Sequence, residues 1–192
     1  NGGFACIGSH KMSYGRMISR YGRDATKQFF KTMQESVALV ADNAARHGID
    51  IWKTGNGEIT LAQLPNRLDE LREDQRFHRE TFGEDNEVLT RDQLVERGMA
   101  GPGFHGGLLG PTGFGVHPLN YARGLARAAH KAGARLHPHS RLIRWEESNG
   151  AHRLTTATGT LTAKRVIVAT NGYTPEDVSP RHAGRIMPAL SN

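Results

Sequence analysis

Cysteine is nearly missing: Cys6 is the only one among 192 residues. No internal disulfide can form, and a reducing compartment, the cytoplasm, is the expected setting. A lone cysteine is more often a packing residue than a nucleophile, and nothing beside Cys6 supports the second role. Long apolar runs are also lacking, so no segment reaches the roughly 20 residues of a membrane span, and no signal peptide is visible. Low-complexity tracts are scarce. With 37% hydrophobic residues the composition is that of a globular segment, and the length allows a real core in one domain or two.

Neither charge sign dominates, but 25 basic residues against 19 acidic ones leave a net charge of +6. Arg16, Arg20, Arg23, Lys27 and Lys31 would form a basic stripe on one continuous helix. That pattern opens an alternative reading as a nucleic-acid-binding module. Tyr21-Gly22 interrupts the run, however, and no nucleic-acid motif accompanies it, so a solvated basic face is preferred and nucleic acid is not expected as a partner. His137-Pro138-His139 places two imidazoles together without a Cys, Asp or Glu at ligand spacing, and no metal is assigned. His105 and His117 flank the glycine-rich stretch and are candidates to face a substrate.

Periodicity predicts a helix from Asp24 to His47, carrying Phe29, Met33, Val37, Val40 and Ala44 on one face, with Asp24 as N-cap and Gly48 beyond its end. Ile49–Lys53 and Glu58–Ala62 flank Thr54-Gly55-Asn56-Gly57 and read as a hairpin. A second helix carries Leu64, Leu68, Leu71, His78 and Phe82, and Thr90-Arg91-Asp92-Gln93 is a capping box opening a third. Residues 98–115 hold 8 glycines in 18 positions and read as a long loop crossing between domains. A further helix runs from Pro118 to Ala132. Short strands are then expected at Ala134–His137 and Ser140–Glu146, followed by a hairpin of His152–Ala157 and Thr160–Ala163.

The most informative run is Arg165-Val166-Ile167-Val168-Ala169-Thr170-Asn171-Gly172-Tyr173. Three β-branched residues fit a strand buried on both faces, and Thr-Asn-Gly stops it where backbone can approach a ligand. In open α/β sheets such strand ends are where cofactors sit. The fold class is therefore α/β, in the mixed α+β sense.

Together with Gly115-Val116-His117-Pro118, Leu125-Ala126-Arg127-Ala128-Ala129, Ala132-Gly133-Ala134 and Thr158-Gly159, that run resembles the central part of the FAD-dependent amine and amino-acid oxidoreductases. This is the D-amino-acid oxidase-like superfamily, in its γ-glutamylputrescine oxidoreductase and glycine oxidase branch. Asn1-Gly2-Gly3 is similar to the end of that branch's Ser-Gly-Arg-Asn-Gly-Gly segment. The resemblance implies an incomplete FAD-binding domain with part of a substrate domain. Residues 1–48 would be an FAD-domain segment and helix, 49–115 a substrate-domain portion with the glycine-rich crossing loop, and 116–192 FAD-domain helix, strands and hairpin.

A strand, a Gly-x-Gly-x-x-Gly turn and a helix should open such a domain, and none precedes Asn1. The chain is thus expected to be a fragment. Gly101-Pro102-Gly103-Phe104-His105-Gly106 matches the fingerprint by letter only, since no apolar strand leads into it and Gly107, Gly110 and Pro111 follow where a helix should start.

By the same resemblance the whole enzyme binds FAD and oxidises an amine or amino acid at the carbon bearing nitrogen, with hydride transfer to the flavin. Its partner is a small-molecule amine or amino-acid substrate, and no catalytic residue is named. Carried over by position, Asn1, Gly2 and Gly3 pass close to the flavin. Leu142 lies by the adenine, and Ala169, Thr170, Asn171 and Gly172 form the turn beside the cofactor. The isolated chain is expected to be inactive and to self-associate through unpaired strands. A non-catalytic structural domain is the remaining alternative.

Overall fold

A computed structural model describes residues 2–7, 12–99 and 101–174, with positions 176 and 183. The described chain is mixed α/β. It divides into two compact units, Asn1–Ala134 and Arg135–Asn192.

The first unit starts with β1 (Phe4–Cys6), α1 (Tyr14–Tyr21) and α2 (Arg23–Arg46), followed by β2 (Glu58–Leu61), α3 (Arg67–Phe82), β3 (Glu87–Thr90) and α4 (Arg91–Glu96). It closes with β4 (Gly106–Gly110), β5 (Gly113–Gly115) and α5 (Pro118–Lys131). Helix α2 buries Val37 and Ala44 of the predicted stripe, but its buried aromatic is Phe30 rather than the expected Phe29, which is 38% exposed. Its N-cap is Gly22 rather than Asp24, which sits in the first turn where a carboxylate favours the helix dipole. Gly22, at φ +87, also separates α1 from α2, so the basic residues from Arg16 to Lys31 do not share one continuous helix.

The expected hairpin of residues 49–62 does not form. Strand β2 instead pairs antiparallel with β4, and β3 pairs with the other edge of β4, giving the order β2-β4-β3. Residues 51–57 lie along 113–117: Thr54 and Gly115 exchange backbone hydrogen bonds, Gly57 N–H donates to Gly113 O, and His117 N–H to Ile51 O. The chain only bends at Asn56-Gly57, and both arms pair with residues far along the chain.

The expected crossing loop of residues 98–115 is likewise corrected, because it contains two strands. Its glycines serve close approach: a Cβ on Gly107 would stand 3.0 Å from Ile59 Cγ2, and one on Gly115 would stand 2.4 Å from Thr54 Oγ1. Strand β5 pairs with β1, setting Ala5 opposite Phe114. Those two join Val37, Ala44, Ile49 and Ile51 in one core cluster, while Ala62, Leu71 and Leu108 form another over the β2-β4-β3 sheet.

Thr90 builds the predicted capping box: its side chain accepts from Gln93 N–H and the Gln93 side chain accepts from Thr90 N–H. Thr90→Ala is expected to lower stability by about 1 kcal/mol in a denaturation experiment, with Thr90→Ser largely retaining it.

Tyr14, Phe30, His78 and Phe82 interlock α1, α2 and α3, with Phe30 stacked on Phe82 at a centroid distance of 4.1 Å. Burial, and then the negative charge of Glu84, push the Tyr14 phenol up to about 12. The unfolded chain ionises this group from pH 10 and the folded chain only near 12, so the group's contribution falls as pH rises through that window. Tyr14→Phe is expected to flatten the alkaline loss of stability between those values, measured as denaturation midpoints against pH.

The second unit holds β6 (Leu142–Ser148), β7 (Ala151–Thr156) and β8 (Thr160–Ala163), an antiparallel meander, then a 3-10 turn, Asn171–Tyr173. The β7–β8 hairpin matches expectation. The β6–β7 connection is Asn149-Gly150, both at positive φ, a two-residue hairpin turn whose Asn-Gly signal stands in the sequence. Residues 134–137, expected as a strand, are irregular and exposed.

Candidate flavin-binding site

Leu142 begins β6, and the register with β7 shifts between Leu142 and Arg144, a bulge that breaks the ladder at this end. A groove of about 570 Å³ opens here, walled by Leu142, Trp145, Val166, Val168, Ala169 and Thr170. The structure thus brings three of the expected cofactor residues together: Leu142, Ala169 and Thr170. Asn171 and Gly172 follow directly in the 3-10 turn, where Asn171 takes φ +53 and Tyr173 N–H donates to Thr170 O at 3.1 Å. Trp145, missed by the sequence reading, has its indole N–H on His152 Nδ1 at 3.2 Å, which orients the ring on the groove wall.

Residues 165–170 are not the buried strand the sequence suggests. They form no ladder, and Ile167 is 90% exposed. A β-branched run favours extended backbone, but a strand needs a neighbour to accept its N–H groups, and none pairs with it among the described residues.

Gly2 and Gly3 belong to the first unit. Gly3 takes φ +96, its carbonyl accepts from Val116 N–H at 2.8 Å, and a Cβ would approach Val116 O to 3.1 Å, so glycine is required where this segment crosses the chain leading into α5. Asn1 lies outside the described residues. His117 caps α5: its Nδ1 accepts from Asn120 N–H at 3.2 Å, and its ring meets Trp52 edge to face. His105 N–H donates to Ala62 O beside β4.

The groove suits the ring portion of a dinucleotide: its walls are apolar, and small side chains and backbone line the end at Ala169-Thr170. Among the described residues no glycine-rich turn leads from a strand into a helix to cradle a pyrophosphate. The letter match at residues 101–106 runs into β4 rather than into a helix.

The family model described as FAD dependent oxidoreductase, DAO, matches residues 3–191. The chain belongs to this FAD-dependent oxidoreductase family. It is 30% identical over 188 residues to the γ-glutamylputrescine oxidoreductase of Escherichia coli, covering 98% of this chain and 43% of that protein. It is 29% identical over 180 residues to the probable oxidoreductase OrdL of Haemophilus influenzae, covering 91% of this chain and 41% of the relative. Among solved structures, the glycine oxidase of Geobacillus kaustophilus superposes with a TM-score of 0.69 at 24% identity, over 93% of this chain and 46% of that one, a likeness of fold. The FAD-dependent oxidoreductase chain thus spans less than half the length of these relatives. No described helix is long and apolar enough to cross a membrane.

Proposed function

We propose that this chain supplies part of the flavin-binding and substrate-facing structure of an enzyme oxidising an amine or amino acid at the carbon bearing nitrogen. The observation that carries the reading is the convergence of Leu142, Ala169 and Thr170 on one apolar groove in a member of a FAD-dependent family. The name of the γ-glutamylputrescine relative and the glycine oxidase fold favour an amine or amino-acid donor over an alcohol.

FAD, when bound, supplies the acceptor for the hydride leaving that carbon. The chain's own residues have positioning work. Leu142, Trp145 and Val168 offer an apolar wall that keeps water from a ring. Ala169 and Thr170 bring backbone to the groove's end, with Asn171 and Gly172 next in line, and Gly2-Gly3 is the second segment assigned to flavin contact, with Asn1 extending it. In this reading residues 1–48 and 116–192 belong to the cofactor side and 49–115 to the substrate side.

The 192-residue chain alone is inferred to be inactive, since no phosphate cradle stands among its described residues, and to self-associate through Val166-Ile167-Val168. Size exclusion across a concentration series tests the second point, and a monomer throughout contradicts it. For the main reading, the full-length gene product loaded with FAD is mixed anaerobically with primary amines, amino acids and 2-hydroxy acids. Bleaching of the flavin by an amine or amino acid is expected. Bleaching by hydroxy acids alone overturns the proposal.

A further inference from the structure

The first unit holds a separate concavity of about 330 Å³ between the β2-β4-β3 sheet and helices α1, α2 and α3. Alternation along β2 puts Glu58 and Thr60 on it, and the i, i+4 spacing on α3 adds Asp74 and His78. Although the chain has 25 Lys and Arg residues, the lining includes none among the described residues, but has three carboxylates: Glu58, Asp74 and Glu84.

Glu84 is buried. Its Oε1 accepts from Gln34 Nε2 at 3.2 Å and Thr112 Oγ1 at 3.4 Å, and its Oε2 lies 3.0 Å from His78 Nδ1. Three partners leave one of the four acceptor positions of a carboxylate open.

Asn86 adds an independent observation. It is 5% exposed, it lines the same cavity, and its Oδ1 has no hydrogen-bond partner among the described residues. Gln75 Nε2 holds the Asn86 main-chain carbonyl at 2.7 Å, so this residue is fixed in place. A buried acceptor left unpaired is unfavourable, and a ligand bringing an N–H donor relieves it.

We propose that this cavity binds a small protonated amine. An ammonium group brings only donors and one positive charge, matching a lining of acceptors and carboxylates. The rings of Tyr14 and Phe30 add aromatic surface for a cation, and Leu71 and Leu108 an apolar wall for an alkyl tail. A divalent metal ion fits less well, because no group of three or more His, Cys, Asp or Glu residues is gathered at ligand distance among the described residues. The site shares no residue with the flavin-facing groove and its occupancy needs no flavin. The two readings therefore stand or fall separately.

The test titrates the 192-residue chain with n-butylammonium chloride, with 1-butanol as the uncharged analogue, following amide NMR shifts of Asn86, Gly110 and Thr112. Saturable shifts are expected with butylammonium and not with butanol at equal concentration. Glu58→Gln is expected to weaken binding about tenfold, the order expected for one neighbouring charge partly exposed to water. Burial pushes the Glu58 carboxyl up, against a smaller lowering by its hydrogen bond with Cys6, so the charge is disfavoured in the fold and its removal is expected to leave the fold intact. No saturation, an equal response to butanol, or undiminished affinity in folded Glu58→Gln overturns the proposal. Each leaves the flavin reading untouched.

Discussion

Replacing Phe30 by alanine is expected to destabilise the first unit by about 3–5 kcal/mol. Phe30 is only 3% exposed, and it stacks on Phe82 with an interplanar angle of 13° while meeting Tyr14 and His78 edge to face. Truncation removes both the transfer energy of the ring and its contacts, and α1, α2 and α3 cannot all shift inward to fill the space. Leu39 lies on the same helix but is 53% exposed, so Leu39→Ala should change stability by about 0.5 kcal/mol or less. Denaturant unfolding of both variants, monitored by helical circular dichroism, checks the contrast. Equal midpoints would mean that the aromatic cluster does not hold the helices.

Gly106→Ala should be costly in a different way, by about 2–4 kcal/mol when steric conflict and backbone strain combine. Gly106 takes φ +144, and an added Cβ would lie 2.7 Å from the Leu89 carbonyl oxygen and 2.8 Å from Leu68 Cδ1. The carbonyl belongs to a paired strand and cannot retreat without opening the β3–β4 ladder. Ala62 N–H also donates to Gly106 O, so distortion spreads to the other edge of the sheet. Gly103, whose Cβ position is open, provides the control: Gly103→Ala should be close to neutral in the same assay.

Local chemistry was legible and distant pairing was not. Helix α5 follows from Pro118 at its first position and its apolar spacing, and α4 from the Thr90–Gln93 capping box, because both signals act within a few residues. The hairpin assigned to residues 49–62 failed because the Asn-Gly signal cannot say which strand lies opposite. Glu58–Leu61 pairs with Gly106–Gly110, almost fifty residues away. Glycines at 106, 107, 113 and 115 resembled loop residues for a related reason: their role is to let neighbouring chain come close, which is invisible until the neighbour is known.

The same division runs through the candidate site. Val166-Ile167-Val168 carried the right composition for a buried strand yet lies unpaired, since propensity supplies half a strand and a partner the other half. The turn at Asn171-Gly172 stands where Thr-Asn-Gly suggested one, and Leu142 lies with Ala169 and Thr170 on one groove. Trp145 and the Glu84–Asn86 cavity escaped notice, because single polar or aromatic residues in mixed sequence acquire meaning only from what they face.

Titration of the isotope-labelled full-length gene product with FAD, read by backbone amide shifts, probes most directly whether the groove of the second unit faces the flavin. Saturable shifts at Leu142, Ala169, Thr170 and Gly172 are predicted, and they should be lost in Ala169→Trp, which fills the groove's end. Shifts absent from these positions, or unchanged by that substitution, would contradict the assignment.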